Sequence, residues 1–208
     1  MKLVLISDTH GKHNQLNLPK GEMLIHAGDV SSRGTKEQVL EFIEWFSSQD
    51  YKYKIFIAGN HDFFLEKENK ENIDSIIPSN INYLNDSGIE IEGIKIWGSP
   101  VQPWFYDWAF NRERGEEINK HWELIPEDTD ILITHGPPFG ILDETLRGER
   151  VGCVDLLNKV NLVKPKLHVF GHIHEDYGVE EKGETTYVNA SVVNLHYEMQ
   201  NKAVEIEI

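Results

Sequence analysis

One unit recurs five times along the chain: a short apolar run followed directly by a polar cluster of Asp, His, Asn or Gly residues. Leu3–Ile6 leads into such a cluster at residues 8–11. The other apolar runs are residues 23–25, 55–58, 131–133 and 167–170, and each ends in a similar cluster. Runs of this length flanked by Gly and Pro are typical of strands buried on both faces. The unit therefore predicts a sheet whose strands end in polar loops.

Helical patterns lie between these predicted strands. The clearest covers residues 35–46, where Thr35 and Gln38 fit a capping box, and Val39, Phe42 and Phe46 line one face. Weaker helical patterns cover residues 69–77, 114–123 and 152–160. Strands that alternate with helices predict a largely parallel sheet covered by helices.

Three later segments have the alternating pattern of antiparallel strands. Residues 89–97 alternate around Glu92-Gly93, residues 179–188 fold back near Lys182-Gly183, and residues 203–208 alternate as an outer strand would. We therefore predict an α/β fold, a two-layer mixed β-sandwich flanked by helices. Because no linker or low-complexity segment interrupts the pattern, one domain is expected over residues 1–208.

Composition narrows the classes of partner. A net charge of −15 opposes binding of a long nucleic acid, because neutralisation of phosphates by Lys and Arg supplies most of that affinity. No stretch reaches the roughly 20 apolar residues of a membrane span. The only cysteine, Cys153, excludes an intrachain disulfide and favours a cytoplasmic location. Its apolar neighbours predict core packing rather than a nucleophile. The oligomeric state is left open.

The polar clusters combine carboxylate, amide oxygen and imidazole, a mixture that suits Mn, Fe, Zn or Ni. Without a cysteine among them, a structural zinc site is not expected. Residues i and i+2 of an extended segment point the same way, so Asp8 with His10, and His172 with His174, can each direct two ligands into one cleft. The remaining cluster members with metal-binding or catalytic chemistry are Asp29, Asn60, His61 and His135.

The ordered set Asp-x-His, Gly-Asp, Gly-Asn-His-Asp, His and Gly-His-x-His resembles the calcineurin-like metallophosphoesterase superfamily. Residues 98–111, 150–154, 165–175 and 187–191 look like its metallophosphoesterase-domain-containing subfamily. The resemblance implies two divalent metal ions, with manganese expected first and Fe, Zn, Ni or Mg as alternatives. It also implies hydrolysis of phosphodiesters, cyclic nucleotides among them, by in-line attack of a metal-bridging hydroxide.

The same resemblance implies roles for individual residues. One metal would be held by Asp8, His10, Asp29 and His174, and the second by Asp29, Asn60, His135 and His172, with Asp29 shared. His61 is expected to be catalytic and to lie over the reacting phosphate, with Asp62 as its orienting partner.

Other residues have no matching motif role. His13, close in sequence to Asp8 and His10, is a candidate substrate contact, as are Trp104 and Asn111. The aromatic run 104–110 could stack on a base, or it could pack on itself. His26 and His168 lie within predicted strands and are expected to be hydrogen-bonded core residues or supports for the ligands.

The leading hypothesis is thus a soluble phosphodiesterase that acts on a small phosphate ester such as a cyclic nucleotide. A phosphomonoesterase is the nearest alternative. A metal-bearing nucleotide-binding module with weak turnover is a third reading, from a different functional class.

Overall fold

The computed structural model describes all 208 residues. The strands are β1 (Lys2–Ile6), β2 (Met23–Ala27), β3 (Tyr53–Ile57), β4 (Asn82–Tyr83), β5 (Ser87–Ile91), β6 (Ile94–Ser99), β7 (Gln102–Pro103), β8 (Asn111–Arg112), β9 (Ile131–Thr134), β10 (Leu167–Phe170), β11 (Gly178–Lys182), β12 (Thr185–Asn189) and β13 (Val204–Glu207). The helices are α1 (Lys36–Ser48), α2 (Phe63–Lys67), α3 (Lys70–Ile76), α4 (Glu116–Trp122) and α5 (Val154–Val163).

Two mixed sheets form the centre of the fold. The first has five strands in the order β13-β1-β2-β3-β4, and the second has six in the order β11-β12-β10-β9-β6-β5. Strands β1, β2 and β3 are parallel, as are β6, β9, β10 and β12, while β13, β11 and β5 pair antiparallel at the edges. The predicted sandwich of mixed sheets flanked by helices is confirmed.

Alternation along the strands explains why two sheets and outer helices are needed. In β1, Leu3 and Leu5 join the core between the sheets, together with Ile133 of β9. Val4 and Ile6 face the other way and join a second core beneath α1. A third core packs α4 and α5 on the outer face of the second sheet. Strands that are apolar on both faces must be covered on both faces.

Local signals explain several boundaries. The Thr35 side chain accepts a hydrogen bond from the Gln38 N–H and caps α1. Glu92 and Gly93 both have positive φ, at 50° and 81°, as the tight turn between β5 and β6 requires. Cys153 is buried and free, at the N-cap of α5. None of the helices combines the length and apolar character that a membrane crossing requires.

Candidate metal centre and catalytic cleft

The seven predicted metal ligands lie together in loops that follow β1, β2, β3, β9 and β10. They come from both sheets, because the carboxyl ends of these strands meet at one edge of the sandwich. Five of the seven residues are buried, with Asp8 and His135 0% exposed, while His172 and His174 are half-buried. They are Asp8, His10, Asp29, Asn60, His135, His172 and His174.

Asp29 lies at the middle of this cluster. Its Oδ1 accepts a hydrogen bond from the His61 backbone N–H at 2.8 Å. Its Oδ2 lies 3.6 Å from His10 Nε2 and 3.5 Å from His135 Nε2. One carboxylate oxygen therefore faces both halves of the cluster while the other is held by the backbone.

The first half groups Asp8, His10 and His174. His174 Nε2 lies 3.5 Å from Asp8 Oδ1 and 3.3 Å from His10 Nε2. Two imidazole nitrogens that face each other at this distance compete for one proton, so the arrangement suits a shared cation better than a hydrogen bond.

The second half groups Asn60, His135 and His172 around one amide oxygen. Asn60 Oδ1 lies 2.9 Å from His135 Nε2 and 2.9 Å from His172 Nδ1. His135 Nδ1 donates to the Ala27 carbonyl at 3.0 Å, which leaves Nε2 for a ligand. Oxygen and imidazole donors in two adjoining groups fit two divalent cations of the Mn, Fe or Zn type.

Burial and charge act in opposite directions on these groups. Burial lowers the pKa of His10 to about 4 and that of His172 to about 3. Burial also opposes the charged form of His135, but the Asp29 carboxylate outweighs it and raises the His135 pKa to about 9. Burial raises the pKa of Asp29, yet His135 and the other histidines hold it well below its usual range. Cation binding at His135 must therefore displace a proton.

Four ligands occupy the left-handed region of backbone conformation, which non-glycine residues rarely adopt. The φ values are 58° for Asp8, 45° for His10, 57° for Asp29 and 70° for His172. Backbone hydrogen bonds hold the turns, including Asp8 N–H to the Gly28 carbonyl and His10 N–H to the Asp29 carbonyl, both at 3.0 Å. Strained backbone concentrated in this way is characteristic of functional sites.

Two glycines allow the ligand loops to approach closely. A Cβ at Gly59 would lie 2.3 Å from Asp29 Oδ1, and a Cβ at Gly171 would lie 2.1 Å from Asp8 Oδ2. Neither position has room for a side chain, so glycine is required by the packing against the carboxylates.

His61 lies beside the two halves, and its imidazole is close enough to His10 and Asp29 for the three together to hold a metal ion as well. Its Nδ1 donates to the Ser32 carbonyl at 2.9 Å, and its ring stacks on Trp108 with centroids 4.4 Å apart. The opposite nitrogen, Nε2, lies 4.0 Å from Asp29 Oδ2. The imidazole is thus fixed in one orientation with Nε2 toward the cluster.

Asp62 does not contact the His61 ring, contrary to the expected orienting role. Its buried carboxylate accepts hydrogen bonds from the backbone N–H groups of Val30, Ser31 and Gly59 at 3.1, 2.9 and 2.8 Å. It therefore ties the Asp29 loop to the Asn60 loop, and the Ser32 carbonyl orients His61 instead. Burial raises the Asp62 pKa to about 6.

Comparison with known proteins identifies the family. The model of the calcineurin-like phosphoesterase family matches residues 1–176. The chain belongs to this family. Metallophosphoesterase domain-containing protein 1 of Homo sapiens is 47% identical over 231 residues, covering 100% of this chain and 71% of the human protein. A UPF0046 protein of Caenorhabditis elegans is 38% identical, covering 98% of this chain and 74% of the relative.

Solved structures support the fold. The phosphopantetheinyl hydrolase PptH of Mycobacterium tuberculosis superposes with a TM-score of 0.62 at 14% identity, covering 94% of this chain and 90% of that one.

Family membership makes the chain a metal-dependent phosphoric ester hydrolase that acts on small phosphate esters.

The phosphoesterase has a cleft of about 450 Å³ above the ligand cluster. Asp29, His61 and His172 lie at its floor. One wall is an aromatic loop, residues 103–108, in which Trp104 and Phe105 are 54% and 51% exposed. The other contributors are residues 60, 114, 136–137, 145, 150–153, 173–175, 195 and 197.

The three candidate substrate contacts differ in position. Trp104 lines the cleft. Asn111 does not: its side chain donates to the carbonyls of Phe105 and Tyr106 at 3.2 and 2.7 Å and so shapes the aromatic loop. His13 is 0% exposed and packs against Trp45, with ring centroids 4.8 Å apart, away from the cleft.

Below the floor of the cleft, His26 and His168 are hydrogen-bonded as expected. His26 Nε2 pairs with Thr9 Oγ1 at 2.9 Å, and His168 Nε2 pairs with Thr134 Oγ1 at 2.8 Å. Each threonine is adjacent in sequence to a metal-ligand candidate. The two pairs therefore support corresponding ligand loops in the two sheets.

Three residues of the site were missed in the sequence. Ser32 acts through its carbonyl, which leaves no side-chain signal, and Trp108 was not separated from the rest of the aromatic run. Tyr197 lies in no motif, yet its ring contacts His10 with centroids 4.7 Å apart. Burial raises the pKa of the Tyr197 hydroxyl, and the Asp29 and Asp8 carboxylates add to this effect, so the phenol stays neutral.

Proposed function

We propose that this phosphoesterase hydrolyses small phosphodiesters, such as cyclic nucleotides, with two divalent cations of which manganese is the first candidate. Asp8, His10 and His174 would hold one cation, and Asn60, His135 and His172 the other. Asp29 Oδ2 would be shared. When bound, the cations supply positive charge and an activated water for displacement at phosphorus.

The observation that carries this proposal is a ligand cluster, an oriented imidazole and an exposed aromatic wall in one cleft. Phosphate would be held at the floor, and a planar group of the ester would stack on the loop that contains Trp104. A simple phosphate-binding site has no need for such a wall.

The His61 imidazole is the second group that the proposed reaction needs, beside the cations. Because Nδ1–H is committed to the Ser32 carbonyl, the proton available to the reaction is the one on Nε2. Nε2 faces the cluster, where it can stabilise the developing charge or protonate the departing alcohol oxygen. Trp108 and Ser32 hold the ring so that neither task requires reorientation.

Metal analysis followed by a substrate panel with added Mn²⁺ tests the proposal. Bis(p-nitrophenyl) phosphate and cyclic nucleotides should be hydrolysed with higher kcat/KM than p-nitrophenyl phosphate. Preference for the monoester would favour a phosphomonoesterase. Bound metal and nucleotide without turnover would favour a binding module. The cytoplasmic location expected from the single cysteine stays a prediction.

A further inference from the structure

Tyr197 is the only aromatic side chain in contact with three imidazoles of the site. Its ring centroid lies 4.7 Å from that of His10, 5.4 Å from that of His174 and 6.0 Å from that of His61, with interplanar angles of 81°, 85° and 63°. The ring is 40% exposed and lines the cleft. It therefore stands over the Asp8 half of the cluster.

A dedicated turn presents this ring. Asn194 Oδ1 accepts the backbone N–H groups of His196 and Glu198 at 2.9 and 3.0 Å, and the Tyr197 N–H donates to the Asn194 carbonyl at 2.8 Å. Tyr197 has a φ of 58°, and its carbonyl accepts a hydrogen bond from the Lys12 ammonium. An aromatic residue in this strained conformation is held there by the surrounding contacts.

The cleft thus has two aromatic walls from separate parts of the chain. Trp108, in the aromatic loop, stacks on His61. Tyr197, with Leu195 beside it, lies closer to His10 and His174 than to His61. Residues 195 and 197 also lie beyond the region matched by the family model, which ends at residue 176.

We propose that Tyr197 forms a subsite for the second ester group of a phosphodiester, and so determines the preference for diesters over monoesters. An acyclic phosphodiester carries two separate alcohol groups, whereas both ester oxygens of a cyclic nucleotide belong to one ribose. A phosphate seated on the cluster between two walls can place one group of an acyclic diester against each wall. The ring, rather than the hydroxyl, makes the contact. This inference rests on the proposed phosphodiesterase function.

Non-hydrolysable ligands test the subsite without turnover. Diphenylphosphinate carries two phenyl groups on phosphorus, and phenylphosphonate carries one. Their binding to manganese-loaded protein is measured by calorimetry for wild type, Tyr197→Gly and Tyr197→Phe. Glycine removes the wall and accommodates the positive φ, so the turn should fold. His196→Ala, an exposed change in the same turn, is the matched control.

Tyr197→Gly should weaken diphenylphosphinate binding about 3- to 10-fold, the size of one aromatic contact, and leave phenylphosphonate binding unchanged. Tyr197→Phe and His196→Ala should behave as wild type, with metal content and melting temperature retained in all variants. Equal weakening of both ligands, no weakening of either, or a Phe variant as weak as the Gly variant would overturn the proposal. If wild type binds both ligands but hydrolyses no diester, the proposed function fails separately.

Discussion

The floor and the walls of the cleft are built in different ways. At the floor, Asp29 is 1% exposed and has both carboxylate oxygens engaged by neighbouring groups. On the walls, Trp104 and Tyr197 are 54% and 40% exposed and stand on irregular loops. The floor residues are buried and held by many contacts, so they tolerate few substitutions. The wall residues are exposed, so they can be substituted without unfolding the sheets. Floor variants should therefore abolish chemistry on every substrate, and wall variants should alter substrate choice.

The largest effect is expected at the shared carboxylate. Asp29→Asn removes the charge of the one oxygen that faces both halves, so affinity for both metals should fall, with more than about 100-fold loss of activity. Asn60→Ala should mainly empty the second position. Calorimetric metal titration distinguishes them, and two metals at wild-type affinity in Asp29→Asn would disprove the sharing.

His61→Gln tests the residue at the floor that we propose to be catalytic rather than a metal ligand. We expect normal metal content and a fall in kcat of about 100-fold or more, the size of a lost general acid or charge stabiliser. The fall should be greater for a cyclic nucleotide, whose ribose alkoxide must be protonated, than for a nitrophenyl ester. Equal losses would indicate electrostatic stabilisation alone, and loss of a metal would make His61 a ligand.

A methyl group at the floor should be nearly as harmful. Gly171→Ala places a Cβ against Asp8 Oδ2, so the Asp8 half of the cluster should lose metal affinity by about 10- to 100-fold. Gly178→Ala is the matched control, because its Cβ would meet only Leu142 at 3.7 Å. Metal titration of the two folded variants measures this difference in affinity. Equal affinities would show that the loop that contains Gly171 can move away from Asp8.

The smallest effect is expected on the wall. Trp104→Ala should raise KM about 3- to 10-fold for an ester with a planar group, such as p-nitrophenyl phosphate, and leave metal content and the kinetics on an aliphatic ester such as glycerol phosphate unchanged. The exposed Leu162→Ala serves as a control for surface changes. A parallel loss on all substrates would place Trp104 with the floor and weaken the comparison.

The sequence predicted the floor better than the walls, for a physical reason. Each floor residue follows an apolar strand, and strand ends converge at a sheet edge whatever the loops do. The roles of Ser32 and Asp62 depend on backbone atoms of neighbouring loops, which have no sequence pattern. Sequence proximity also misplaced His13, which lies in the core against Trp45. Tyr197 reaches His10 from far along the chain, so nothing local indicates the contact.

The metal-ligand candidates are far apart in sequence, and this separation has a consequence for the stability of the folded chain. Asp8 and His172 are 164 positions apart, yet they contact each other at the cluster. Cations held there would bind the folded chain and not the unfolded one, and would so stabilise it through a link between ligands from distant parts of the polypeptide. A chain with one cysteine cannot form a disulfide link within itself. The ions that serve the chemistry would also hold the loops of the first sheet against those of the second.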